Sequence, residues 1–104
     1  MNSYNKYTDL QINELVATRL KKKCLLTEES VLAYMDSGYR TFDPCNNPSD
    51  AMPIIIENEI SMIKSSGGWM CCHGSVGQVE HKNLYRGAME LFLLMKDAER
   101  ETNT

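Results

Sequence analysis

From residue 8 onward, apolar positions recur at a spacing that changes along the chain. Ile12, Leu15, Val16 and Leu20 repeat near helical spacing. They follow Thr8-Asp9-Leu10-Gln11, which has the form of a capping box, a hydroxyl at the N-cap and Gln at N3. A first helix is predicted over Asp9–Leu20. Lys21-Lys22-Lys23 follow where positive charge complements the helix dipole, as a solvated helix end or as a contact for a phosphate or a partner. Leu25–Gly38 admits two readings. Thr27 can cap a short helix through Val31, Leu32 and Met35 that stops at Gly38, or the segment can be a strand with Val31 and Ala33 on one face. The helix is preferred. Tyr39-Arg40-Thr41-Phe42 is β-prone and predicts a short strand.

Asp43-Pro44-Cys45-Asn46-Asn47-Pro48-Ser49-Asp50 is dense in turn-forming residues. Asn47-Pro48 fits an N-cap followed by N1, although Pro53 would then fall in the second turn. A start at Asp50 is the other option; either way Ala51, Ile54, Ile55 and Asn58 share one side, and the helix ends near Glu57–Glu59. Ile60–Lys64 and Trp69–His73 flank Ser65-Ser66-Gly67-Gly68 as a hairpin, and Val76–Glu80 adds an edge strand. A last helix opens at Asn83 with Leu84, Ala88, Leu91, Met95 and Ala98 on one face and Tyr85, Met89 and Phe92 beside them. The pattern predicts an α+β single domain over residues 1–104, a small, mainly antiparallel sheet flanked by helices, with Met1–Lys6 and Glu101–Thr104 frayed.

Composition narrows the function classes. Of 104 residues, 42% are hydrophobic, enough for a real core and against disorder. Eleven basic residues against fourteen acidic ones give a net charge of −3, which argues against a generally basic nucleic-acid binder, so no direct DNA binding is expected. The longest apolar run, Leu91–Met95, is far short of a bilayer span, and Met1–Asp9 lacks an apolar signal core. A cytoplasmic protein with no membrane contact is expected.

Candidate chemistry is sparse. Cys24, Cys45, Cys71 and Cys72 are expected to be thiols that pack as small hydrophobes. Cys71-Cys72-His73 with His81 and Cys45 raises a zinc site, but the spacing departs from the usual ligand pairs, and no metal or other cofactor is expected. No local signature supports a cysteine nucleophile, so no enzymatic activity is expected. Ser65-Ser66-Gly67-Gly68 lacks the phosphate-loop pattern. Asp43, Asn46, Asn47 and Asp50 at a helix start can present donors to an anion or to a partner, or can serve their own turn, which is the plainer reading. Trp69 beside a turn is a candidate contact aromatic or a residue packed on the sheet.

Asp43 through Ser61, a run of nineteen residues in the sequence, resembles the central signature of the NinX-like small bacteriophage proteins, relatives of which are described as α-β-α sandwich domains. Thr8–Ala17, Trp69 after its short turn and Asn83–Met89 resemble that family's other landmarks, with Met52 in place of an expected Trp and Leu84 in place of an expected Pro. Lys21–Tyr39 falls outside the resemblance. The resemblance implies a phage or prophage accessory protein, cytoplasmic in an infected or lysogenic host, and implies no enzyme activity. Binding to a host protein complex, as an inhibitor of anti-phage defence, is the first expectation. Sequestration of a nucleotide-type ligand by Asn46, Asn47, Asp50, Trp69 and Arg86 is the second. A cysteine- or metal-dependent enzyme is the third, and a homodimer remains open.

Overall fold

Thr8 does what its position suggests. Its hydroxyl accepts from the Gln11 amide, the Gln11 side chain accepts from the Thr8 amide, and helix α1 (Asp9–Arg19) begins there. The computed structural model describes residues 2–102. A 3-10 turn, Ser3–Lys6, precedes α1. Three strands follow, β1 (Cys24–Leu26), β2 (Val31–Met35) and β3 (Gly38–Thr41). Helix α2 (Pro48–Glu57) leads to β4 (Ser61–Ser65), β5 (Gly68–His73) and β6 (Gly77–His81), and α3 (Leu84–Thr102) is the last element among the described residues.

The class is α+β, as expected, with the strands divided between two antiparallel three-stranded sheets rather than gathered in one. In the first sheet Leu25 faces Leu32, Leu32 faces Thr41 and Tyr34 faces Tyr39. In the second, β5 is central, with Cys71 opposite Met62 on one side and Val79 on the other. The hairpin, the edge strand and the last helix fall where the pattern put them.

Leu25–Gly38 is the main correction: it is strand, not helix. Thr27 does act as a cap, but of a tight turn. Its hydroxyl accepts from the Ser30 amide at 2.9 Å, and its own amide donates to the Ser30 carbonyl at 2.9 Å. The chain reverses there, and Val31 and Ala33 then alternate inward while Tyr34 stays exposed, a period of two. Of the Met1–Lys6 segment expected to fray, Ser3–Lys6 forms the 3-10 turn. Asn2 caps the 3-10 turn through the Tyr4 amide, Tyr4 is buried, and its hydroxyl bonds the Asp97 carboxylate. Met1, Asn103 and Thr104 lie outside the described residues.

Helix α2 starts at Pro48 with Asn47 as N-cap, the first of the two starts considered. Pro53 sits inside it and supplies no amide hydrogen to the carbonyl four residues back. Ala51, Ile54 and Ile55 are buried and hold the helix in place despite that loss. Helix α3 is the centre of the molecule, packed against β5 and β6 and against α1 and α2. With neighbours on several sides, every residue from Arg86 to Leu93 is buried. Met89, Leu91, Phe92 and Leu93 are fully enclosed, each stabilising the fold by roughly 1.5–3 kcal/mol.

Candidate functional site

The turn between β3 and α2 is held first by its own backbone, with the Asn46 and Asn47 amides donating to the Asp43 carbonyl at 3.1 and 2.8 Å. Three helix N-termini meet around it. Asp9 opens α1, Asn47 caps α2 through the Ser49 amide at 3.0 Å, and Asn83 accepts from the Tyr85 and Arg86 amides at the start of α3. Side chains lace these ends together. Asp43 accepts from Asn13 at 2.8 Å and from Asn46 at 3.2 Å, and its amide donates to Asp50 at 2.9 Å. Asn46 also donates to Asp9 and accepts from Asn83, both at 3.2 Å. Asn83 donates to the Cys45 carbonyl at 3.0 Å, and Asn13 accepts from the Cys45 amide at 3.1 Å.

Arg86, one turn into α3, completes the cluster and is 5% exposed. Its guanidinium donates to Asp9 at 2.6 Å, to Glu90 at 2.6 Å, and to the Tyr7 and Tyr4 carbonyls at 2.6 and 3.1 Å. Glu90 is fully buried and also accepts from Asn2 at 2.6 Å. Burial alone would lower the Arg86 pKa. The bonds to Asp9 and Glu90 and the Glu90 charge act the other way, and the net shift is upward.

The positive ends of the three helices are thus met by the chain's own Asp9, Asp43 and Asp50. A cavity of about 170 Å³ opens beside the turn, lined by Asp9, Asn13, Glu29, Asp43 and Asn46 among others. Its charge is acidic, which disfavours a phosphate there. Asp43, Asn46, Asn47, Asp50 and Arg86 therefore gather as the sequence suggested, each in hydrogen bonds within the chain. Trp69 stands apart. It lies on β5 between Lys64 and His81 in register, with the Lys64 ammonium 5.7 Å from its ring centroid. It lines a different, open cleft with Gly67, Gly68, Glu80, His81 and Lys82.

Cys45, Cys71, His73 and His81 are engaged separately. Burial pushes the Cys45 thiol far above the ordinary range, with the Asp9 charge adding to the rise. Burial, followed by Cys72 and Glu90, pushes Cys71 up to about 11. His73 bonds Ser75 at 2.8 Å, and His81 accepts from the Asn83 amide at 2.9 Å. Among the described residues, no three His, Cys, Asp or Glu side chains gather as a metal would need.

The outer face of the first sheet escaped the sequence reading. Leu25 is 51% exposed, Tyr34 48% and Tyr39 37%. Tyr34 and Tyr39 pair edge to face with centroids 5.3 Å apart, and the Lys23 ammonium stands 6.0 Å from the Tyr34 ring. The outward alternation of Leu32 and Tyr34 with Val31 and Ala33 was the available signal, and a helical reading hides it. Asn13 and Glu90 were missed because each is a polar residue inside an apolar helix pattern, and Asn83 was read only as the opening of the last helix.

No helix among the described residues is long and apolar enough to cross a membrane. The sequence model of the family described as Bacteriophage P22, NinX matches residues 3–96, and that span takes in Lys21–Tyr39, which the resemblance had left out. No curated protein matches the chain.

Proposed function

This chain belongs to the NinX family of bacteriophage proteins, and we propose that it is a phage accessory protein that works by binding a host protein complex and blocking it, as an inhibitor of anti-phage defence does. The observation that carries the reading is the outer face of the first sheet. Leu25, Tyr34 and Tyr39 lie on one face of the sheet by its register and form an apolar, aromatic surface, while Leu26, Ile56 and Ile63 are exposed elsewhere on the chain. Tyrosines on a rigid strand are efficient contact residues, since little conformational entropy is lost when they are covered. Contiguous apolar surface of this kind marks interaction sites. Cys45 and Cys71 are poorly suited to act as nucleophiles, because a nucleophilic cysteine needs a lowered pKa and both are raised.

The test is capture from a host lysate with the tagged wild-type chain and a Leu25→Ser/Tyr34→Ala variant, alongside phage growth on defence-carrying hosts. Both substituted positions are about half exposed, so the variant should melt near wild type. The expected result is a host complex retained by wild type and lost, by at least about thirtyfold in affinity, from the variant. Equal capture by both chains would remove this face from consideration, and no effect on phage growth would end the inhibitor reading.

A further inference from the structure

We infer that the free edge of β4 is a self-association surface, on which a second copy of this chain pairs antiparallel about Ile63. The surface belongs to the second sheet and is independent of the protein-binding reading of the first.

Each three-stranded sheet has two edges, and the edge strands are β1, β3, β4 and β6. Edges are usually blunted by shortness or by charge. Strand β1 has three residues. Strand β3 carries Arg40, its side chain 65% exposed, and β6 carries an exposed Glu80. Strand β4 has five residues and one charged side chain, Lys64, which is turned back on its own hairpin. The Lys64 ammonium bonds the Ser65 and Gly68 carbonyls at 3.0 and 3.2 Å and stands over the Trp69 ring. Among the described residues, β5 is the one element that β4 packs against extensively. In the middle of this edge Ile63 is 49% exposed.

The register settles which main-chain groups are free. Ser66 and Gly67 alone separate the paired Ser65 and Gly68, so those two bond each other as the closing pair of the hairpin. Bonding alternates along an antiparallel strand. Ser61, Ile63 and Ser65 therefore point their amides and carbonyls at β5, while Met62 and Lys64 point theirs away. A second β4, set antiparallel on a two-fold axis through Ile63, meets these groups in phase. Met62 and Lys64 of one copy face Lys64 and Met62 of the other, each pair exchanging both of its main-chain hydrogen bonds.

The side chains suit the same register. Cys71 is buried under α3, where its thiol meets the Leu84 carbonyl, so its cross-strand partner Met62 is on the helix side. Ile63 and Met70 are then on the outer face. The two copies of Ile63 meet at the axis as a non-hydrogen-bonded pair, the closer kind, beside the half-buried Met70 of each copy. Each Lys64 stands opposite Met62, so no like charges are set face to face. A two-fold contact has to be self-complementary, and the charge pattern of β4 meets that requirement in this register. The contact is narrow, which makes the dimer weak and reversible.

Sedimentation velocity of the full chain tests this. A monomer–dimer equilibrium with a Kd on the order of 10–100 µM is expected. Ile63→Lys sets two ammonium groups face to face on the axis and should raise that Kd by at least about tenfold. It should melt near wild type, because the position is half exposed. Disulfide trapping in a Cys24→Ser/Cys72→Ser background reads the register. Opposed Cα atoms in a non-hydrogen-bonded pair lie about 4.5 Å apart, within the roughly 4.4–6.8 Å that a disulfide spans. Ile63→Cys should therefore oxidise to a covalent dimer, and Gln78→Cys on the opposite edge should not. A chain that stays monomeric to about 500 µM, a dimer that Ile63→Lys leaves intact, or equal trapping at both positions would overturn the proposal. Loss of the dimer from Leu25→Ser/Tyr34→Ala alone would move the contact to the first sheet and overturn it as well. A monomeric chain that needs Ile63 to hold a host protein would overturn the second copy as occupant.

Discussion

Arg86→Met asks whether the buried arginine is structural or held ready for a ligand. The substitution keeps an apolar stem inside α3 and removes a guanidinium that makes four hydrogen bonds. The consequences differ by partner. Glu90 has no exposed surface and would keep only the Asn2 amide, so its carboxylate becomes a buried charge without a counter-charge. Breaking such a pair from one side costs about 3–5 kcal/mol. Asp9, whose side chain is 44% exposed, can return to water, and its share is about 0–1 kcal/mol. The Tyr4 carbonyl belongs to a buried residue and loses a donor, at a cost of about 1 kcal/mol or more. The expected loss is about 4 kcal/mol or more, out of a stability of roughly 5–15 kcal/mol for a domain. At about 4–8 °C per kcal/mol, the melting temperature should fall by some 15–30 °C. Urea unfolding followed by circular dichroism measures it. The control is Arg86→Met/Glu90→Met, which removes the stranded charge and should recover about 2 kcal/mol of the loss. A single variant that loses under about 1 kcal/mol, or a double variant no better than the single, would refute the reasoning. Arg86 would then be free for the ligand role that the sequence also allowed.

Leu91→Asp should leave the protein insoluble or unfolded, because Leu91 is fully enclosed and the new carboxylate has no partner; Phe92→Ala should cost about 3–5 kcal/mol in urea unfolding. Gly68→Ala should destabilise by more than about 1 kcal/mol, since a Cβ there would lie 2.5 Å from the His81 carbonyl oxygen and 2.9 Å from the Lys82 Cα, both main-chain atoms that cannot step aside. The thiols predict an alkaline limit. Cys71 holds its proton to about 11 in the fold against an ordinary 9.0, so its stabilising contribution is complete below 9.0 and is lost as pH rises toward 11. Melting temperature should therefore fall over that window, less steeply in Cys71→Ala, and mass spectrometry at mild pH should find alkylation on half-buried Cys24 and Cys72 well before Cys45 and Cys71.

Local chemistry was legible in the residue order wherever a short segment settles its own conformation. The capping box at Thr8, the Asn47-Pro48 start of α2, the Ser66-Gly67 reversal and the Asn83 cap all act within a few residues of themselves. So did the wide apolar face of α3, whose period survives almost any packing. The turn at Asp43–Asp50 could be recognised as a turn for the same reason.

Tertiary structure decided what depends on partners distant in the chain. Whether Val31–Met35 was strand or helix rested on β1 and β3 offering edges to pair with; the alternation of Val31 and Ala33 within the segment admitted the strand but did not by itself exclude the helix. The division into two sheets followed, and with it the exposed Leu25, Tyr34 and Tyr39 face. Arg86 and Glu90 lie one helical turn apart, a spacing that a solvated surface pair would share. Only the packing of α3 against two helices and a sheet put that pair in the interior, where Asn2, Tyr4, Tyr7 and Asp9 had to come to it. Conformation set by neighbouring residues can be read from their order. Burial and electrostatic environment are set by whatever the fold brings alongside, and order alone does not contain them.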